Sequence, residues 1–85
     1  MPVICMFFGI VIYMQYDDHN PPHFHAEYQG ERASFDFDGN QLNGSFPKKQ
    51  TKLVQAWCEI HREELMADWE LASEKTEIFR IDPLR

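Results

Sequence analysis

Apolar positions follow two different periods along this chain, and the change falls near Pro47. Before that point, residues 3–8 and 10–16 are rich in Val, Ile, Phe and Tyr and are separated by Gly9. Runs of this composition are typical of two buried strands, or of one long strand that bends at the glycine. We therefore expect the N-terminal part of the chain to form β-structure.

The next part of the chain alternates between apolar and polar side chains over residues 23–28 and 33–38. This alternation predicts an antiparallel hairpin, and a two-residue turn formed by Gly30 and Glu31 would suit type II′ geometry. That turn pairs Phe24 with Phe37, Ala26 with Phe35, and Tyr28 with Ala33 on the core face. A further short strand is expected within residues 41–46.

From Pro47 onward the apolar residues recur at helical spacing, and proline suits the first helical position because its missing N–H has no partner there. His61, Glu64 and Asp68 run as a polar seam down the middle of the apolar face. The sequence therefore predicts one long C-terminal helix, with a kink or break near His61 or a path that wraps around the sheet. Residues 77–81 alternate again and favour an edge strand or packing on a neighbouring element.

Together these elements predict an α+β fold in which an antiparallel sheet of three to five strands packs against the long, straight or kinked, C-terminal helix. The helix is expected to cover one sheet face and to leave the face with the His and Asp side chains free. Residues 1–85 are expected to form one domain, because 44% apolar and 14% aromatic residues suffice for a core. A leftover apolar surface makes self-association, as a dimer, a further expectation.

The charge of the chain restricts the partners that it can have. The net charge is −6, and the only basic cluster is Lys48, Lys49 and Lys52, so a general nucleic-acid ligand is not expected. Residues 59–77 hold seven acidic side chains against two basic ones. This is either an ordinary solvated helix face or a surface that attracts a basic protein partner.

Cys5 and Cys58 are the two cysteines, and no C-x-x-C motif is present. Buried, reduced thiols are the expected state, which favours a cytoplasmic location. Residues 3–14 are too short to span a bilayer, and no basic segment precedes them as in a signal peptide. Neither a membrane partner nor secretion is therefore expected.

One polar cluster could carry chemistry. His19, His23 and His25 form the pattern H-x3-H-x-H, and the last two are neighbours on one face of the predicted strand. In the predicted register His25 lies opposite Asp36 and His23 lies opposite Asp38, with about 5 Å between Cβ atoms. The pattern thus predicts imidazoles and carboxylates side by side on the uncovered face.

Several interpretations of this cluster stay open. The pairs can be structural, with each carboxylate favouring a charged imidazole, and they would then form a pH-sensitive network. They can also be ligands of a divalent transition metal such as zinc, manganese or iron, with His19 or Asp18 completing the shell from the loop. General acid–base catalysis on a phosphodiester is less well supported, because no nucleophile or phosphate loop is evident. His61 is interpreted as a hydrogen-bonded histidine at the helix–sheet boundary.

The chain also resembles a bacterial family, domain-of-unknown-function family 4160. The most specific resemblance is the string Asp17-Asp18-His19-Asn20-Pro21-Pro22-His23-Phe24-His25. The opening Phe8-Gly9-Ile10-Val11-Ile12, the helical His61-Arg62-Glu63-Glu64-Leu65 and the closing Ile81-Asp82-Pro83-Leu84 are similar as well. The resemblance implies a setting in compact gene pairs, some of them toxin–antitoxin-like, and it implies no catalytic residues.

These observations lead to two hypotheses about function. The first is a small protein-binding module that pairs with itself or with a cognate partner, as one component of a toxin–antitoxin-like gene pair. The alternative is a metal-dependent hydrolase or nuclease that uses His19, His23, His25, Asp36 and Asp38. The sequence alone does not decide whether the chain is an enzyme.

Overall fold

A computed structural model describes residues 2–85 as one five-stranded antiparallel sheet and two helices. The elements follow in the order β1 (Val3–Phe7), β2 (Ile10–Tyr13), β3 (His23–Tyr28), β4 (Glu31–Asp36), β5 (Gln41–Gly44), α1 (Lys48–Ile60) and α2 (Arg62–Ser73). Each strand pairs with the strand next to it in sequence, so the sheet is a simple meander. The predicted α+β class and the short strand after residue 40 are confirmed.

The first two strands form a hairpin whose turn is Phe8-Gly9. Both turn residues have positive φ, 49° and 80°, a backbone conformation that glycine adopts without strain. A Cβ atom on Gly9 would also lie 3.2 Å from the ring of Tyr28. The predicted break at Gly9 is therefore a tight turn between two separate strands.

The register predicted for the second hairpin is wrong by two residues. The turn is Gln29-Gly30, with φ of 46° and 83°, and not Gly30-Glu31. Phe24 consequently pairs with Phe35 and Ala26 with Ala33. Because side chains alternate with a period of two, a shift by two keeps every residue on its predicted face and changes only its partner.

The prediction of one long C-terminal helix is also corrected, because two helices meet at His61. This residue leaves helical geometry with φ −110° and ψ 22°. Helix α1 buries Val54, Trp57 and Cys58, whereas α2 buries Leu65, Asp68, Trp69 and Ala72. The buried residues of α1 and those of α2 would not lie on one side of a single straight helix. The helix therefore breaks between them, at His61 of the polar seam. In residues 2–85 neither helix has both the length and the apolar character that crossing a bilayer requires.

The core is organised around Trp57, whose side chain is fully buried. Its ring lies 5.7 Å from the rings of both Phe7 and Phe24, so α1 packs on the sheet face that carries these residues. The indole Nε1–H donates to the carbonyl oxygen of Asp82 at 2.9 Å. The C-terminal tail is thereby held against the core, and Ile81 N–H donates to the carbonyl oxygen of Ile4 in β1. The tail packs on a neighbouring element, as expected, and does not form a strand.

Both cysteines are free and buried, as the sequence predicted. Burial raises the pKa of Cys58 to about 11, and the charge of Asp36 adds to this effect. The thiol therefore stays protonated at neutral pH and is a poor nucleophile or metal ligand.

Asp68 departs from the expected acidic surface because its carboxylate lies inside the protein. Its Oδ1 accepts the backbone N–H of Phe79 at 3.1 Å, while Oδ2 has no hydrogen-bond partner among residues 2–85. Burial raises the pKa of Asp68 to about 6, against the lowering effect of the Phe79 N–H, and the charge of Glu64 raises it further. The tail is thus anchored to a carboxylate that resists ionisation.

Asp68 should make the protein less stable as the pH rises. Between the ordinary pKa of 3.8 and the folded pKa of about 6, the folded state binds more protons than the unfolded state, so the free energy of unfolding falls with rising pH. The fall is at most about 3 kcal/mol, at about 1.4 kcal/mol per pKa unit. Asp68→Asn keeps an acceptor for Phe79 and should remove this fall. Urea unfolding at pH 4.5 and 7.5 measures it, with exposed Glu70→Gln as control. An unchanged pH dependence in Asp68→Asn would refute the assignment.

Candidate metal centre

The two strand histidines lie on the sheet face opposite to α1, and α2 reaches that face only at His23. Alternation along β3 puts His23 and His25 opposite to Phe24, which faces α1. His25 is half-buried, and its ring stacks on Tyr13 with 5.1 Å between centroids. His23 is only 4% exposed, because it stands at the start of the strand where its ring contacts Trp69.

The loop between β2 and β3 brings a carboxylate to these two rings. Asp17 N–H donates to the carbonyl oxygen of Ala72 at 3.0 Å, which ties the loop to the end of α2. The neighbouring Asp18 accepts the backbone N–H of His19 on Oδ1 at 2.8 Å. This bond orients the carboxylate so that its other oxygen, Oδ2, points to the strand histidines.

Three potential ligand atoms converge at this point: Asp18 Oδ2, His23 Nε2 and His25 Nε2, all within 4.8 Å of one another. Asp18 Oδ2 lies 3.0 Å from His23 Nε2 and 3.4 Å from His25 Nε2. Metal–ligand bonds of about 2.0–2.1 Å place neighbouring ligand atoms about 3.0–3.4 Å apart in octahedral or tetrahedral geometry. Both distances from Asp18 Oδ2 therefore lie in the range expected for ligands of one transition-metal ion.

The orientation of His23 is set by its second ring nitrogen. Nδ1 lies 2.7 Å from the carbonyl oxygen of Pro21, and because a carbonyl only accepts, Nδ1 carries the proton. The Nε2 atom that faces Asp18 is then available for a ligand. A histidine that donates its other N–H to a backbone carbonyl is the usual arrangement around protein-bound metals.

The surroundings of Asp18 and His25 favour the protonation states that metal binding requires. Burial, the largest influence, lowers the pKa of His25 and outweighs the hydrogen bond to Asp18, so the neutral imidazole is favoured. Burial by itself would raise the pKa of Asp18. The His19 N–H and the neighbouring histidines lower it by more, so the pKa lies below its usual value and the carboxylate is ionised. Neutral imidazole and ionised carboxylate are the forms that ligate metals. Asp18 does favour the charged form of His25, as expected of a neighbouring carboxylate, but burial outweighs this effect.

Asp36 and Asp38 do not join the centre, contrary to the predicted register. Asp36 lies opposite His23, but its carboxylate turns away and accepts the backbone N–H groups of Asp38 and Asn40 and the Asn40 side chain. Burial raises the pKa of Asp36, yet these hydrogen bonds lower it overall. Asp38 lies past the end of β4 and pairs with Arg62 at 2.7 Å. Both carboxylates hold the β4–β5 turn and the helix junction.

His19 lies at the rim of the centre and not within it. Its side chain is 83% exposed, its ring stacks on His23, and its Nε2 is 3.7 Å from Asp18 Oδ1. His61 is remote from the cluster: its ring contacts Trp57, and its Nδ1 bonds to Glu64. The hydrogen bond expected for His61 is confirmed, but the residue lies at the junction of α1 and α2 and not at the predicted helix–sheet boundary.

The sequence predicted Asp18 only as an alternative to His19 for the loop residue that completes a metal shell. The signal was present, because Asp18 belongs to the same specific string as the three histidines. Its position depends, however, on the bond from Asp17 to Ala72, which joins two distant parts of the chain. No local pattern reports such a contact.

Comparison with protein families confirms the resemblance seen in the sequence. The family model described as Domain of unknown function (DUF4160) matches residues 9–70, which include the whole Asp18–His23–His25 cluster. Comparisons with curated proteins and with solved structures find no match to the chain.

The different roles of Asp36 and Asp38 can be tested by stability. Asp36→Ala removes the acceptor of three N–H groups and should lower the free energy of unfolding by about 1–3 kcal/mol. Asp38→Ala removes only an exposed ion pair and should cost at most about 1 kcal/mol. Urea unfolding of the two variants makes the comparison. Equal losses would contradict the capping role of Asp36.

Proposed function

Because this chain belongs to the DUF4160 family, which is defined as a domain of unknown function, we propose its activity from its own geometry: it binds a divalent transition metal through Asp18, His23 and His25. The observation that carries the proposal is the convergence of one carboxylate oxygen and two imidazole nitrogens at ligand spacing. The orienting bonds from His19 to Asp18 and from His23 to Pro21 support it, because they fix the ligands before any ion arrives.

The ligand set suggests the kind of metal and its use. Two histidines and one carboxylate suit zinc in hydrolases and iron(II) in non-haem oxygenases, and three protein ligands leave coordination positions open. A metal held in this way supplies Lewis acidity and lowers the pKa of bound water, which is the basis of metal-dependent hydrolysis. A hydrolase or nuclease activity is therefore the catalytic extension of the proposal.

A second candidate function is the protein-binding module that the acidic C-terminal half favoured. The helix junction carries a cavity of about 460 Å³ lined by Glu59, Ile60, Arg62, Glu63 and Glu64. Ile60 is 65% exposed there, and the guanidinium of Arg62 is already paired with Asp38. Ile60 is thus an exposed apolar side chain surrounded by glutamates that Arg62 does not neutralise. Such a surface suits a basic partner protein that contributes an apolar residue. A cognate partner in a toxin–antitoxin-like gene pair fits this description.

Metal binding is tested on protein purified without an affinity tag. We expect about one equivalent of Zn²⁺ by calorimetric titration, and stabilisation by about 2.7 kcal/mol at 100 times the dissociation constant. Asp18→Asn and His25→Ala should weaken binding by at least roughly 100-fold, because a lost ligand costs more than a lost orienting partner. Elemental analysis of the purified protein gives an independent measure.

The controls separate this centre from the one that the sequence predicted. His19→Ala and Asp38→Asn should bind Zn²⁺ as the unmodified protein does, because neither side chain lies in the cluster. Zinc binding that survives both Asp18→Asn and His25→Ala, or no stoichiometric binding at all, would refute the proposal. Hydrolysis of a chromogenic ester that needs both zinc and Asp18 would extend it to catalysis.

Partner binding is tested by co-expression with the product of the neighbouring gene. We expect a complex on size-exclusion chromatography that weakens with salt, because exposed charges are screened. Reversing two charges, Glu59→Lys with Glu63→Lys, should abolish it. Glu31→Lys, an exposed change at the start of β4, should leave it intact. A complex that tolerates the double reversal would place the interface elsewhere.

A further inference from the structure

A groove on the uncovered sheet face runs beside the proposed metal centre. Two adjoining cavities of about 280 and 240 Å³ share Ser34 and Asn43 in their linings. His25 lines the first cavity, and His23 lines the second. The two proposed histidine ligands therefore form one wall of the groove.

The groove is built from a row of cross-strand partners. His25 pairs with Ser34 of β4, and Ser34 pairs with Asn43 of β5. Neighbouring strands lie about 4.8 Å apart, so Asn43 lies about 10 Å from His25 along this row. A small anion lying over Ser34, the middle of this row, would be within reach of side chains from both neighbouring strands.

The polar groups in this groove are mainly hydrogen-bond donors. Asn43 Oδ1 accepts the backbone N–H of Gly44 at 2.8 Å, so its free group is the amide NH2. Arg32 lines the first cavity and bonds to Glu27 through Nε at 2.7 Å, which leaves its two terminal NH2 groups. The Ser34 hydroxyl adds a third donor. Such a set of donors is complementary to an oxyanion.

A bound divalent ion would make the metal-side edge of the groove positive, although the protein as a whole is acidic. Glu27 is neutralised by Arg32, and the carboxylate of Asp36 is turned into its own turn. A divalent ion held by Asp18 would leave one net positive charge at the edge of the groove. The metal-side edge of the groove would then attract an anion.

We propose that the groove binds a small oxyanion, a carboxylate or a phosphate, that completes the coordination of the metal and is held by Ser34, Asn43 and Arg32. This inference rests on the proposed metal binding and names the class of ligand for the same site. One oxygen of the anion would occupy an open coordination position. The donors of β4 and β5 would bind the remainder of the anion.

The test uses the full chain loaded with Co²⁺, whose visible absorption reports changes in its ligands. Titration with inorganic phosphate, and separately with acetate, should shift this absorption in a saturable way. Arg32→Gln should weaken anion binding by roughly tenfold or more, as expected for loss of a charge-assisted hydrogen bond. Glu27→Gln is the matched control, because it breaks the same ion pair but keeps the guanidinium. Its affinity should be equal or higher.

The outcomes separate this inference from the metal proposal. Bound Co²⁺ whose spectrum responds to neither anion would overturn the oxyanion site and leave metal binding intact. Equal affinity in Arg32→Gln and Glu27→Gln would overturn the role of the groove. Absence of binding of both Co²⁺ and Zn²⁺ would overturn both proposals together. A response to phosphate alone identifies phosphate compounds as the ligands, and a response to acetate alone identifies carboxylates.

Discussion

The burial of the Trp57 indole is the constraint on which the rest of the molecule depends. A buried indole needs apolar neighbours for its ring and an acceptor for its N–H. Phe7 and Phe24 supply the first from the sheet, and the carbonyl oxygen of Asp82 supplies the second from the tail. One side chain thus joins sheet, helix and C-terminus. By fixing which face of β3 is covered, it also decides that His25 faces outward.

The faces of the strands could be predicted from the sequence, but the partners across the sheet could not. Alternation assigned Phe24 and His25 to opposite faces, and a register shift of two residues does not alter that assignment. The choice of Gln29-Gly30 over Gly30-Glu31 as the turn depended on Gln29 adopting positive φ, which is uncommon outside glycine, asparagine and aspartate. Local propensity favoured the wrong alternative, and the pairing of His25 with Asp36 was lost with it.

The same holds for the helix break and the candidate site: features set by neighbouring residues could be predicted, and features set by contacts between distant parts of the chain could not. The polar seam at His61 was visible in the sequence, and the helix ends there because its two halves bury different stripes. The sequence predicted Asp18 only as an alternative to His19, because a bond between the loop and α2 determines its position. The histidines were identified correctly as neighbours. Their carboxylate came from a loop that period-two reasoning does not describe.

The bond from Asp17 to the carbonyl of Ala72 has a consequence for the lifetime of the centre. Ala72 lies in the last turn of α2, and helix ends open locally at a far lower free-energy cost than the strands of a sheet. Fraying of that turn would release the loop and withdraw the carboxylate, while both imidazoles stayed in place on β3. The persistence of the three-ligand geometry is therefore governed by the opening kinetics of a helix terminus, and an ion held there would in return protect that terminus from fraying.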